Sequence, residues 1–111
     1  MFGQKFLQDE SRKAEIEEWE DELRKNKKTI AKAIYGVINR ESIESELKNI
    51  TCPTLVMVGT QDVATVPQKA EFIHENIKNS HLVYIEGAGH SSSIEEPTQV
   101  NRAIENFLSK L

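Results

Sequence analysis

Ile50-Thr51-Cys52-Pro53-Thr54-Leu55-Val56-Met57-Val58-Gly59-Thr60-Gln61-Asp62 is the stretch on which the fold turns. Thr51-Cys52-Pro53 stops any helix arriving from upstream, because the residue before a proline avoids the α region. Thr54 to Val58 is a continuous run of β-formers closed by Gly59. A run without polar alternation predicts a strand buried on both faces, as in a parallel sheet covered by helices. Asp62 follows in the loop that leaves the carboxyl end of this strand.

Downstream, Val66-Pro67 predicts a helix start, since proline suits the first helical turn. Val66, Ala70, Ile73 and Ile77 supply its apolar stripe, and it is expected to end near Asn79-Ser80. Leu82-Val83-Tyr84-Ile85 predicts a second strand. Gly87-Ala88-Gly89-His90-Ser91 follows, a loop whose two glycines are free to take unusual backbone angles. Pro97 then opens a last helix with the stripe Val100, Ile104, Phe107, Leu108 and Leu111. Strand, helix, strand, helix predicts a parallel pair with a right-handed crossover.

Upstream of residue 50 no convincing strand occurs. Ile16, Trp19 and Leu23 fall at helical spacing, with Ser11 as the expected cap and Trp19 as an anchor on the buried face. Ile30, Ala33, Ile34, Val37 and Ile38 make a second stripe, and Ile43, Leu47 and Ile50 a third. The fold class is therefore α/β. A helical segment, 1–49, precedes a strand-helix-strand-helix segment, 50–111.

Composition narrows the function. With 111 residues there is room for one modest domain. A net charge of −4 argues against a nucleic-acid binder, since phosphate binding needs clustered lysine and arginine. The basic run Arg24-Lys25-Asn26-Lys27-Lys28 follows an acidic stretch and reads as a solvated helix face. The single cysteine, Cys52, forms no internal disulfide, reads as a small packing residue and fits a reducing compartment. No apolar run approaches the ~20 residues of a membrane span, and the amino terminus lacks a signal-peptide layout. The expectation is a cytoplasmic protein without membrane or nucleic-acid partners.

The chemistry lies at the strand ends, where open parallel sheets carry their functional loops. Asp62 and His90 each stand three residues beyond a glycine that closes or follows a strand. Neighbouring strands are ~4.8 Å apart, so the two loops can bring these side chains together. A carboxylate bonded to one imidazole nitrogen fixes the tautomer and leaves the other nitrogen to deprotonate a hydroxyl. His74 and His81 have no metal-ligand partner at useful spacing and read as surface histidines. Glu86 reads as a solvated loop carboxylate.

These motifs, with Glu96-Pro97 and the amphipathic terminal helix, resemble the end of an α/β hydrolase. In that superfamily the triad runs nucleophile, acid, histidine along the chain, and the resemblance makes Asp62 the acid and His90 the base. The helices of 1–49 are similar to the cap that covers the active site. The Phe2-Gly3 and Phe6-Leu7 opening and the Trp19 helix resemble small lactonases and esterases such as 3-oxoadipate enol-lactonase. The resemblance implies a serine hydrolase of a small ester, lactone or related carbonyl substrate, with no metal and no organic cofactor.

One departure matters equally. No Gly-x-Ser-x-Gly occurs around Gly3, Gly36, Gly59, Gly87 or Gly89, so nucleophile and oxyanion hole are missing. Ser91, Ser92 and Ser93 follow the histidine and read as loop hydrogen-bonding residues. The chain is therefore expected to be the carboxy-terminal portion of a hydrolase, inactive alone. The alternative is a non-catalytic interaction module working through its amphipathic helices. Self-association is expected too, through the free edge of the Thr54 to Val58 strand and through Ile16, Trp19, Ile34 and Val37.

Overall fold

A computed structural model describes residues 1–26 and 29–111 of the chain. Its centre is a parallel pair of strands, β1 (Thr54–Gly59) and β2 (Ser80–Ile85), in register from Thr54 opposite Ser80 to Gly59 opposite Ile85. The helix α4 (Pro67–Asn76) makes the crossover, and α6 (Pro97–Leu108) follows β2. Both helices begin on the prolines expected to open them.

The apolar run of β1 serves two faces at once, because successive side chains of a strand point to opposite sides. Val56 and Val58 pack with Ala70, Ile73 and Leu82 on the α4 side. Met57 joins Val83, Ile85, Ala88 and Val100 on the α6 side. The doubly covered strand is thus the one the sequence requires. β2 is covered less completely, with His81 and Tyr84 exposed.

Several expectations are corrected at element boundaries. α4 ends at Asn76, short of Asn79-Ser80, because Ile77 leaves the helix to become 3% exposed in the core. Ser80 already belongs to β2, and its hydroxyl lies within hydrogen-bond reach of the carbonyls of Ile77 (2.7 Å) and His74 (3.0 Å), so its one proton can serve a helix-end acceptor. His81 lies in β2 rather than at the helix end. His74 is half-buried, its Nδ1 2.7 Å from the Ser80 hydroxyl. Cys52 is exposed and packs against no core.

The amino-terminal part is helical, in more pieces than its periodicity shows. A short helix α1 (Gln4–Leu7) leads through a 3-10 turn at Glu10–Arg12 into α2 (Lys13–Arg24); α3 (Ile30–Ile38) follows. Ser11 does not cap α2: Arg12 stands at that position without a side-chain cap bond, and Asp9 caps the 3-10 turn instead, its carboxylate accepting the Ser11 N–H at 3.0 Å. The third stripe forms a 3-10 helix, Glu44–Asn49, that buries Leu47 alone. Trp19, expected on a buried face, is 36% exposed, and every residue of α3 is exposed. Within the basic run, Arg24 pairs with Glu20 at 3.2 Å and Lys25 with Glu22, as a solvated helix face should. Lys27 and Lys28 lie outside the described residues.

Candidate active site

Both candidate residues stand beyond the carboxyl ends of the parallel strands. The ladder runs on past β1, with Thr60 N–H donating to Ile85 O (3.0 Å) and Gln61 N–H to Ala88 O (2.8 Å). These bonds lay the two loops side by side. Asp62 then turns back, its N–H on Gly59 O at 3.1 Å. Its side chain is buried, and Oδ1 accepts the N–H groups of Ala64 (2.9 Å) and Thr65 (2.8 Å). Oδ2 remains for His90 Nδ1, at 2.9 Å.

The His90 side chain is 47% exposed while that of Asp62 is 6% exposed, so the acid is sealed and the ring reaches outward. Among the described residues Nε2 has no hydrogen-bond partner. Burial pushes the Asp62 carboxyl up. The Thr65 N–H, the His90 ring and the Ala64 N–H together outweigh that, and the carboxyl lies below its ordinary value.

The loop carrying His90 depends on two glycines for different reasons. Gly87 has φ of 75°, a left-handed conformation that favours glycine. Gly89 has ordinary angles but no room: a Cβ there would lie 2.4 Å from the Gly3 nitrogen and 2.8 Å from the Met1 oxygen. The sequence suggests unusual angles at both; only Gly87 uses them.

That contact exposes what sequence reasoning missed. Residues 1–6 dock on the site loops. His90 N–H donates to Met1 O at 2.8 Å and Lys5 N–H to Gln61 Oε1 at 3.1 Å. The Lys5 ammonium pairs with Glu96 and, with a bond from Gln99, holds that carboxyl below its ordinary value. Gly3 N–H donates to Glu95 Oε2 at 2.7 Å. Glu95, in the one-turn helix α5 (Ser92–Glu95), is 2% exposed. The fingerprint of a buried glutamate is absent from so polar a stretch.

Serines 91 to 93 start α5 through their backbones, and Glu86 stays exposed. A cleft between β2 and α6, lined in part by His81, Arg102 and Phe107, includes neither Asp62 nor His90. Among the described residues no group of three His, Cys, Asp or Glu side chains is placed to hold a metal ion. No helix there is long and apolar enough to cross a membrane.

Solved α/β hydrolases contain this same arrangement of parallel strands, crossover helix, site loops and terminal helix. A thermophilic esterase from Thermogutta terrifontis matches with a TM-score of 0.64 and 36% identity, over 68% of this chain and 28% of that one. The family model described as TAP-like protein matches residues 33–111, and the chain belongs to that family of α/β hydrolases. It is 37% identical over 78 residues to a proline iminopeptidase of Saccharolobus solfataricus, a match covering 70% of this chain and 25% of the relative. It is 34% identical over 68 residues to 3-oxoadipate enol-lactonase 2 of Acinetobacter baylyi, covering 61% and 25%. The chain spans about a quarter of the length of these curated relatives.

Proposed function

We propose that the chain supplies the acid and the base of a serine-hydrolase triad, with Asp62 orienting His90. The observation that carries this reading is the 2.9 Å contact between Oδ2 and Nδ1 at the ends of two parallel strands. An Nδ1–H donated to a buried carboxylate leaves Nε2 as the basic nitrogen. Nε2 takes the proton of a serine hydroxyl as its oxygen attacks a carbonyl carbon. The protonated ring, stabilised by Asp62, then gives that proton to the departing alkoxide. Water repeats the sequence on the acyl-serine and frees the acid. No metal or organic cofactor enters these steps.

The serine comes from a preceding part of a longer hydrolase, because no Gly-x-Ser-x-Gly occurs in these 111 residues. Its substrate is a small ester, lactone or related carbonyl compound, in keeping with the esterase and lactonase among the similar proteins. In this reading 1–49 is part of the cap over that site, 50–111 carries the catalytic loops, and the enzyme works in the cytoplasm. Reading the coding DNA upstream of Met1 tests it. An in-frame Gly-x-Ser-x-Gly is expected; a stop codon and promoter there would favour a stand-alone interaction module instead. The 111-residue chain by itself is expected to hydrolyse a small activated ester at background rate, equal to that of His90→Ala. Loss of oxyanion donors alone costs ~10²–10³ in rate. Turnover that disappears with His90→Ala would show that the chain carries its own nucleophile.

A further inference from the structure

We propose that Glu95 is a positioning residue for His90, acting through the backbone on both sides of the histidine. The inference rests on the Asp62–His90 reading above. Glu95 Oε2 accepts the Gly89 N–H at 2.8 Å and the Gly3 N–H at 2.7 Å, and Oε1 accepts the Ser91 N–H at 3.1 Å. His90 itself donates its N–H to Met1 O. Three successive amides, 89, 90 and 91, are thus all held, two of them by one carboxylate.

Local geometry explains how a glutamate reaches this place. Helical side chains lean toward the helix amino terminus, and Glu95 is four residues beyond Ser91. The single turn of α5 therefore folds the carboxylate back over the loop it came from. Arg12 fastens that turn from outside, its guanidinium donating to the carbonyls of Glu95 and Ile94. Glu95 is 2% exposed and, among the described residues, makes no ion pair. A buried charge without a counter-ion is costly unless hydrogen-bonded, and here three backbone donors provide the bonds. A well-packed apolar side chain would fill the space without that cost. What the carboxylate adds is direction: it fixes the peptide planes flanking His90, and with them the line from Cα to Nδ1. General-base catalysis is sensitive to such placement, since a shift of about 1 Å can cost ~10²-fold in rate.

The test reads the ring itself. Ring ¹⁵N shifts in labelled protein report which imidazole nitrogen bears the proton while the ring is neutral. The unsubstituted chain is expected to show the Nδ1–H form, and Asp62→Asn to lose it. Glu95→Gln keeps the shape but offers one acceptor oxygen in place of two. It is expected to stay folded and lose most of the Nδ1–H signal, whereas a residue that merely stabilised the fold would leave that signal intact. A folded Glu95→Gln chain with the unsubstituted ring spectrum overturns the inference. If instead the unsubstituted ring lacks the Nδ1–H form, or Asp62→Asn leaves it unchanged, the Asp62–His90 reading is what fails. Should Glu95→Gln not fold, amide exchange in the unsubstituted chain decides: protected N–H groups at Gly89 and Ser91 support the clamp, and exchange at free-chain rates overturns it.

Discussion

Asp62 divides its two oxygens between two tasks, Oδ1 closing its own loop on Ala64 and Thr65 and Oδ2 meeting the ring of His90. Since those bonds outweigh burial, its carboxyl titrates below the ordinary 3.8 in the folded chain. The sign follows from proton linkage. A carboxyl depressed by folding contributes stability that is fully present above its unfolded value and is lost as pH falls through the folded one. Unfolding midpoints in urea are expected to fall more steeply below about pH 5 for the unsubstituted chain than for Asp62→Asn. Comparing the two removes the shared contributions of Asp9, Glu15 and Glu96, whose carboxyls are also depressed. Parallel curves would refute the claim. Asp62 and His90 were legible in the sequence because a strand end followed by a loop is a place as well as a pattern. Glu95 was not, because Ser-Ser-Ser-Ile-Glu-Glu-Pro has the composition of a surface loop, and one of the donors that meet its carboxylate, the Gly3 N–H, lies 92 positions away in the chain.

Both strands and the helices α4 and α6 could be read from uninterrupted apolar runs and from prolines at helix starts, signals that depend on neighbours in sequence. The errors cluster where distant parts of the chain decide. The stripe that promised a helix forms a 3-10 helix that meets α4 and buries Leu47 while its sequence neighbours stay exposed. The docking of residues 1–6 has no local signal beyond Gly3 and Gly89, whose role is to be small. Gly89→Ala is expected to push residues 1–3 off the loop, seen as lost exchange protection at the Gly3 and His90 amides while β1 and β2 stay protected. Retained protection at both amides would mean the backbone accommodates the methyl group. Ile85, the last residue of β2, is 0% exposed between Ala88, Val100 and Met57. Ile85→Ala is therefore expected to cost about 2–5 kcal/mol in chemical denaturation. Leu108→Ala, at a residue 59% exposed, should stay within about 0.5 kcal/mol. Equal costs at the two sites would place the core elsewhere.

The whole molecule is open. Its radius of gyration is 16.1 Å, against about 13 Å for a compact chain of this length. Among the described residues the sheet has two strands, and beyond their mutual pairing each presents an edge of N–H and C=O groups able to template another strand. On α3, Ile30, Ile34, Val37 and Ile38 are between 43% and 75% exposed, and Trp19 and Leu23 add to the uncovered apolar surface. Each large side chain left in water forgoes roughly 1.5–3 kcal/mol of burial, against a total of about 5–15 kcal/mol for an ordinary domain. In a longer hydrolase these surfaces would meet the rest of the sheet and the cap. For the 111-residue chain by itself, a second copy is expected to supply the cover. A two-fold arrangement closes the association without leaving a new surface, either by antiparallel pairing of two β1 edges into a four-stranded sheet or by packing the α3 helices together. Size exclusion with light scattering at micromolar concentration is expected to give twice the mass of one chain. Replacing Ile34 and Val37 by glutamate distinguishes the two arrangements: a helix-mediated dimer dissociates, and an edge-paired dimer persists. A folded, cooperatively melting species with the mass of a single chain would show instead that two strands and their helices suffice as a core, and that the apolar face of α3 is stable in water.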